Sequence, residues 1–179
     1  MLGDNLCYYL RLKGQDAIPG IFVDISEPAK AIAFLETNSI KVVPSHILTT
    51  HKHNDHSGGN IEMRELYPSL EIFGGLDDNV PGATTAVKDG DIFELNGIRI
   101  TCFHTPCHTR GHILYYCEPV NPDPCYMGNE KVEGYSVVTG VDKCVFTGDT
   151  IFVGGCGRFF EGSAAEMAEA MAVMRDRLP

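Results

Sequence analysis

Three histidines and an aspartate lie within six consecutive positions of the chain, in the segment THKHNDH: His51, His53, Asp55 and His56. Imidazole nitrogens and carboxylate oxygens are ligands that zinc, iron and manganese accept in proteins. Structural zinc sites are closed and usually rich in thiolates, whereas this cluster contains no cysteine. The composition of the cluster therefore favours an open catalytic metal site over a structural zinc site or a solvated loop.

The spacing of these residues constrains the backbone. On a helix, residues two positions apart point in nearly opposite directions, whereas in an extended segment they share a face. His51 and His53 can therefore bind one ion only where the loop is non-helical. Asp55 and His56 lie beyond that pair and can turn toward a different point, which two neighbouring ions would require.

Two further candidate ligands follow apolar segments elsewhere in the chain. His108 lies in TPCHTRGH, where Pro106 fixes a turn after a predicted strand, and Asp149 ends the segment KCVFTGD. Either residue alone is weak evidence, because polar tips and capping aspartates are common after strands. Loops at strand ends often carry function, so we expect these side chains to meet the histidine cluster at one rim of the sheets. Cys107, beside His108, is interpreted as an inert turn residue.

The elements that would position these residues alternate between strands and helices. The first half of the chain predicts a hairpin, a helix with Ser26 as its N-cap, a strand that leads into the histidine loop, a second helix and a further strand. Their sequences are, in order, LCYYLRL with GIFVDI, SEPAKAIAFLETN, HILTTH, NIEMRELY and LEIFGG.

The second half of the chain is predicted to add antiparallel strands and one helix. Asn96-Gly97 between two alternating apolar segments is a strong hairpin signal. HILYYCEP and KCVFTGD read as strands, and residues 119–143 between them as a surface excursion. A final helix starts at Ser163 with Glu166 completing a capping box, and its methionines and alanines are expected to contact the core. The whole order predicts a layered α/β architecture.

Composition limits the classes of function. A chain of 179 residues with 44% hydrophobic and 21% charged residues suits one globular domain. A net charge of −10 argues against binding to nucleic acid, and no apolar run is long enough to span a membrane. Seven cysteines without a CxxC motif, and a start without a signal peptide, predict a reducing, cytoplasmic location, with a mitochondrial form still open. The sequence predicts no oligomeric state.

Four segments, taken in their order and spacing, carry a family resemblance: THKHNDH, TPCHTRGH, FTGDT and GGCGRFFEG. Together they resemble the metallo-β-lactamase superfamily and, within it, the glyoxalase II (hydroxyacylglutathione hydrolase) family. The resemblance implies a four-layer αββα sandwich, incomplete at the C-terminus, which agrees with the predicted order of elements. It also implies a set of metal ligands. The first metal would be bound by His51, His53 and His108, the second by Asp55 and His56, and Asp149 would bridge both.

The resemblance further implies a reaction. Two divalent cations, with zinc as the first choice and iron or manganese as alternatives, would lower the pKa of water toward about 7. The expected reaction is hydrolysis of a small-molecule glutathione thioester, S-D-lactoylglutathione, to glutathione and D-lactate, the step that completes methylglyoxal detoxification. A thiol with a pKa near 8.5 leaves without a separate general acid. Asp55 is the predicted catalytic residue, and Arg158 and Phe160 are the predicted contacts for the glutathione moiety.

The sequence also departs from the family pattern. Family members carry a further ligand histidine in a GHEYT-like motif and a helical region that binds glutathione, both beyond the last helix seen here. We therefore expect residues 1–179 to be a partial catalytic domain of a truncated enzyme, with the second metal held by protein only through Asp55, His56 and Asp149. None of the remaining histidines is expected to substitute as a ligand: His46, His104 and His112.

Two alternatives remain open at this stage. A persulfide dioxygenase of the same superfamily uses one iron held by two histidines and a carboxylate, for which His51, His108 and Asp149 would suffice. The segment GRFFEG favours the hydrolase over that enzyme. The other alternative is a non-catalytic relative that kept the fold and lost the second metal, against which the retained ligand set argues.

Overall fold

A five-stranded sheet forms one half of the protein. The computed structural model describes residues 5–12, 17–40, 43–121, 128–132, 135–139 and 143–179. Strands β1 and β2 are antiparallel, as the predicted hairpin requires, and β2 to β5 are parallel in the order β1-β2-β3-β4-β5. The strands are β1 (Tyr8–Leu10), β2 (Gly20–Val23), β3 (Pro44–Leu48), β4 (Glu71–Gly75) and β5 (Thr85–Val87).

The second large sheet is antiparallel and has the order β11-β8-β7-β6. Asn96 and Gly97 form the turn between β6 and β7 and have positive φ angles of 54° and 80°, so the predicted tight hairpin is confirmed. A separate hairpin lies within the predicted surface excursion, of which residues 122–127, 133–134 and 140–142 fall outside the described residues. The strands are β6 (Ile92–Leu95), β7 (Ile98–His104), β8 (Ile113–Pro119), β9 (Gly128–Val132), β10 (Tyr135–Thr139) and β11 (Cys144–Phe146).

Helices cover the outer faces of both large sheets. Helices α1 and α3 pack on the first sheet, and α4 packs on the second. The helices are α1 (Pro28–Thr37), α2 (Asn54–Ser57), α3 (Asn60–Leu66) and α4 (Ala164–Arg177). The predicted αββα layering is therefore confirmed. No helix in these described ranges is long and apolar enough to cross a lipid bilayer.

The main core lies between the two sheets, and strict alternation along the strands builds it. On β8, Ile113, Tyr115 and Cys117 face the other sheet, whereas Leu114 and Tyr116 face α4. The fully buried Tyr115 hydroxyl donates to the carbonyl of Thr49 at 3.0 Å. A buried hydroxyl needs such a partner, and this bond joins the two sheets close to the histidine loop.

One local prediction needs correction. Ser26 is not the N-cap of α1: Glu27 holds that position without a side-chain capping bond, and Pro28 opens the helix. Proline suits this position because its φ angle is preset and it lacks an N–H that would need a partner. The histidine loop is non-helical through His53, whose backbone is extended, but α2 begins at the next residue. At α4, by contrast, the predicted capping box of Ser163 is present.

Candidate metal centre

Loops from both sheets converge at one rim of the sandwich. The loop after β3 carries His51 and His53, and α2 follows it with His56. The loop after β7 carries His108, and a 3₁₀ turn after β11 (Gly148–Thr150) carries Asp149. The predicted meeting of strand ends is therefore what the fold provides.

Three imidazoles form the first ligand group, which consists of His51, His53 and His108. Nδ1 of His53 lies 3.1 Å from Nε2 of His51 and 2.9 Å from Nε2 of His108. Nitrogens bound to one zinc ion in a tetrahedron lie roughly 3.3 Å apart. The spacing of the three nitrogens therefore fits a single divalent cation.

The second ligand group consists of His51, His56 and Asp149. Oδ1 of Asp149 lies 3.1 Å from Nε2 of His56, and Oδ2 of the same carboxylate lies 3.2 Å from Nε2 of His108. The two oxygens of Asp149 therefore face different groups. A carboxylate in this position can join two neighbouring cations, so the arrangement supports a dinuclear metal centre.

Hydrogen bonds on the outer side of the rings orient these ligands. Nδ1 of His51 lies 3.1 Å from the Thr50 hydroxyl, Nδ1 of His56 lies 2.9 Å from Asp24, and Nδ1 of His108 lies 2.8 Å from the carbonyl of Arg158. With each Nδ1 occupied by an outward partner, each Nε2 faces the centre and carries a lone pair wherever the ring is unprotonated. Convergent lone pairs repel one another unless a cation lies between them, so the donor set fits a metal.

The charges around the centre are unevenly distributed. Burial lowers the pKa of His51 strongly, and the neighbouring His112 lowers it further, so His51 is neutral. At His56, burial also opposes protonation, but hydrogen bonds with Asp149 and Asp24 outweigh it and raise the pKa to about 10. Burial likewise opposes the charge of Asp149, yet its hydrogen bond with His56 holds its pKa below the usual range. The second ligand group therefore contains the charged pair of His56 and Asp149, whereas His51 is neutral.

Sequence reasoning missed Asp24, which follows β2 and is buried. Its carboxylate accepts hydrogen bonds from the backbone N–H of Thr50 at 2.8 Å, the Thr50 hydroxyl at 2.7 Å and His56 at 2.9 Å. Through Thr50 it also reaches His51. A polar residue at the end of a strand next to β3 was the available signal, because parallel neighbours β2 and β3 end at the same edge.

Sequence reasoning treated His112 only as a residue that is not a metal ligand, and it missed that His112 positions Asp149. Nε2 of the fully buried His112 accepts the backbone N–H of Asp149 at 3.1 Å. Burial lowers the pKa of His112 to about 3, which keeps the ring neutral. A side chain at Gly148, where φ is +45°, would come within 2.6 Å of this ring, so glycine is required beside it.

Asp78, a third residue that was missed, ties two of the ligand loops together. Its buried carboxylate accepts the backbone N–H of Lys52 at 2.6 Å and that of Gly111 at 3.1 Å. Glu161 makes a second tie, because it accepts from the Lys52 side chain at 2.6 Å and from the backbone of Arg110 at 2.7 Å. The two ties hold the loops of His51 and His108 in register.

Asp55 lies at the edge of the centre rather than within either ligand group. Its side chain is 44% exposed, and Oδ2 lies 3.7 Å from Nε2 of His56. The same oxygen accepts a hydrogen bond from the side-chain amide of Asn5 at 2.5 Å. The assignment of Asp55 as a ligand and catalytic residue stays a prediction.

The two predicted substrate contacts lie at the mouth of the centre. Phe160 is 61% exposed, and its ring centroid lies 5.6 Å from that of His53 and 5.2 Å from that of His108. The Arg158 side chain is exposed, while its backbone carbonyl holds His108. Cys107 is buried with its thiol directed to the carbonyl of Ser163, and burial raises its pKa, which agrees with an inert residue.

In sequence, the chain is similar to curated proteins named hydroxyacylglutathione hydrolase. The chain is 44% identical to the cytoplasmic hydroxyacylglutathione hydrolase of Arabidopsis thaliana over 181 aligned residues. The alignment covers 99% of the chain and 61% of that protein. It is 36% identical over 179 residues to a probable hydroxyacylglutathione hydrolase of Schizosaccharomyces pombe, covering 99% of the chain and 60% of that protein. The chain thus spans about 60% of the length of these curated relatives. No protein-family model matches the chain.

Solved structures agree on the fold. BJP-1, a subclass B3 metallo-β-lactamase of Bradyrhizobium japonicum, superposes with a TM-score of 0.65 at 18% identity, over 95% of this chain and 67% of that one. TTHA1623, solved in a di-iron-bound form, superposes with a TM-score of 0.64 at 22% identity, over 97% of this chain and 81% of that one. The sequence shared with the hydroxyacylglutathione hydrolases and the fold shared with these metallo-β-lactamase-type structures confirm the resemblance of this chain to the glyoxalase II family.

Proposed function

We propose that this chain provides the catalytic domain of a metal-dependent thioester hydrolase. The substrate class is S-(2-hydroxyacyl)glutathione, with S-D-lactoylglutathione as the expected member, and the products are glutathione and a 2-hydroxy acid. The observation that carries the proposal is the Asp149 carboxylate, whose two oxygens face His56 of one ligand group and His108 of the other. The names of the curated relatives support hydrolysis of a hydroxyacylglutathione. A place in methylglyoxal detoxification is part of the proposal.

The proposed cofactor is a pair of divalent cations, zinc before iron or manganese. His51, His53 and His108 would hold the first cation, Asp55 and His56 the second, and Asp149 both. Cations bound there would bring the pKa of water toward about 7 and withdraw charge from the thioester carbonyl. The neutral state of His51 and the outward hydrogen bonds of the rings support this assignment, because ligand imidazoles must present lone pairs.

Residues of the chain itself orient the reactants. Asp55 lies beside His56 at the open edge, where its carboxylate can accept a hydrogen bond from the attacking water. The departing glutathione thiolate has a pKa near 8.5, so no general acid is needed. Phe160 supplies an apolar wall next to His53 and His108.

Arg158 is proposed as the contact for a glutathione carboxylate. Its side chain is exposed at the mouth of the centre, next to the backbone that holds His108. Because the chain carries a net charge of −10, an anionic substrate needs a local cation to approach the site. We further propose a cytoplasmic location, which the name of the Arabidopsis relative supports.

The test is hydrolysis of S-D-lactoylglutathione, followed by the loss of thioester absorbance with zinc added to the full chain. We expect a rate above that of zinc alone, and we expect His53→Ala to reduce it by more than about 100-fold, because ligand loss should exceed the 10–100-fold effect of residues behind the ligands. Leu76→Ala, at an exposed residue, is the control.

Metal analysis and an oxygen electrode separate the remaining readings. Two metal equivalents with thioester hydrolysis support the proposal. One iron with oxygen consumption on glutathione persulfide would replace it with a dioxygenase, and a rate equal to that of the zinc blank would count against a hydrolase.

A further inference from the structure

Two cysteines away from the metal centre face each other across neighbouring strands. Cys117 on β8 and Cys144 on β11 are direct partners in the antiparallel register. Both side chains belong to the core between the sheets, where Cys117 is buried and Cys144 is partly buried. Strand β11 is the edge of its sheet, so Cys144 is the member of the pair nearer to solvent.

The backbone geometry of this pair suits a covalent bond. Directly opposed residues of antiparallel strands have Cα atoms roughly 4.5–5.5 Å apart. A disulfide requires Cα atoms about 4.4–6.8 Å apart, so the strands need not move to form one. The two thiols are also close enough for each to change the pKa of the other.

The two thiols differ in acidity. The hydrogen bond with Cys117 lowers the pKa of Cys144. The same hydrogen bond and burial raise the pKa of Cys117 well above its ordinary value. The thiolate is the reactive form of cysteine, so Cys144 is the first to react and Cys117 remains a protonated thiol beside it.

We propose that Cys117 and Cys144 form an oxidisable dithiol that hydrogen peroxide converts into a disulfide between β8 and β11. The Cys144 thiolate attacks one peroxide oxygen, the O–O bond breaks, and a sulfenic acid and hydroxide form. The sulfur of Cys117 then attacks the sulfur of the sulfenic acid, the S–O bond breaks, and the Cys117 proton leaves with the hydroxyl group as water. Overall, two thiols are oxidised, one peroxide is reduced, and two waters form.

The bond would act on the strand that precedes a metal ligand. It would close the segment between β8 and β11 into a ring and fix the edge strand from which the chain continues to Asp149. Closing a loop of this size should raise the melting temperature by roughly 5–10 °C. The proposal does not depend on the substrate or on the proposed hydrolase activity.

The other described cysteines lack this arrangement. Cys7 donates to the carbonyl of Tyr8, Cys102 on β7 is paired with Tyr115, Cys107 contacts Ser163, and Cys156 is exposed in a loop. Cys102 nevertheless lies close enough to Cys117 to contribute to its electrostatic environment. It is therefore the appropriate control.

The test is peroxide treatment of the full 179-residue chain. Free thiols are then alkylated in denaturant, and peptides are mapped by mass spectrometry without reduction. We expect a linked Cys117–Cys144 peptide that is lighter than its two halves by two hydrogens, and a rise in melting temperature that a thiol reductant reverses. Cys102→Ser should keep both signals, and Cys144→Ser should abolish both.

The mapping on the unsubstituted chain decides the matter even where a variant folds poorly. Recovery of Cys117 and Cys144 as alkylated thiols, at a peroxide dose that oxidises the exposed Cys156, would overturn the proposal. A disulfide from Cys117 to any other cysteine would overturn it as well.

Discussion

The two halves of the metal centre are held by different parts of the fold. The first half, His51, His53 and His108, belongs to loops that leave the central strands β3 and β7, and two of its three rings are buried. The second half contains His56, which lies on the short helix α2 with the proposed ligand Asp55, and Asp55 accepts a hydrogen bond from Asn5 in the segment before the edge strand β1. The first half is therefore preorganised by the core, whereas the second depends partly on the periphery.

This difference has a chemical meaning. Catalytic metal sites keep an open coordination position, whereas structural sites are closed. Here Asp55, which is 44% exposed, and Phe160 beside His53 are open to solvent, whereas His51 and His108 are buried. The centre is therefore open at these two exposed side chains, while the buried rings keep their geometry.

Replacing His51 should have the largest effect, because this residue belongs to both ligand groups. For His51→Ala we expect loss of both metal equivalents and a fall in thioester hydrolysis of more than about 100-fold, beyond the effect of residues behind the ligands. Metal analysis after dialysis and the thioester assay provide the measurements. His46→Ala, on β3 but outside both ligand groups, is the matched control and should retain metal. Retention of one full metal equivalent by His51→Ala would show that the halves are independent.

Asp55→Asn tests the open half alone. The substitution keeps the size of the side chain and removes its charge, so the fold should remain intact while turnover falls about 100-fold, within the usual range for acid–base groups. One metal equivalent should stay bound by the first half. Steady-state kinetics and circular dichroism check both statements, and unchanged turnover would remove Asp55 from the mechanism.

Asp24→Asn should have the smallest effect and should affect both halves together, since Asp24 contacts His56 and reaches His51 through Thr50. We expect about tenfold weaker metal affinity, the lower end of the range for residues behind metal ligands. Competition with a chelating dye measures it, with the exposed Asp77→Asn as the control. A loss confined to one metal equivalent would mean that Asp24 serves only His56.

Local signals in the sequence predicted much of the fold. The Asn96-Gly97 turn, the capping box at Ser163 and the strand in HILYYCEP each depend on neighbours in the chain, and each was found as expected. The position of Asp149 between the ligand groups followed from the family resemblance rather than from any local pattern.

Residues whose roles depend on distant partners were not predicted. Asp24 and His112 act only because β2 lies beside β3, and because β8 and β11 bring His112 under the backbone of Asp149. Ser26 shows that a local signal can also mislead. Serine is a favourable N-cap, but the helix begins at Pro28, so Glu27 holds the N-cap position.

The buried carboxylate of Asp78 has a consequence for how the protein acquires its metals. It accepts from Lys52, on the loop that leaves the first sheet, and from Gly111, on the loop that enters the second. The ligand loops are therefore in place only when the two sheets have docked on each other. Any cation that binds the assembled centre then shifts the folding equilibrium toward the docked state by mass action, so metal supply and the lifetime of the folded chain are thermodynamically linked.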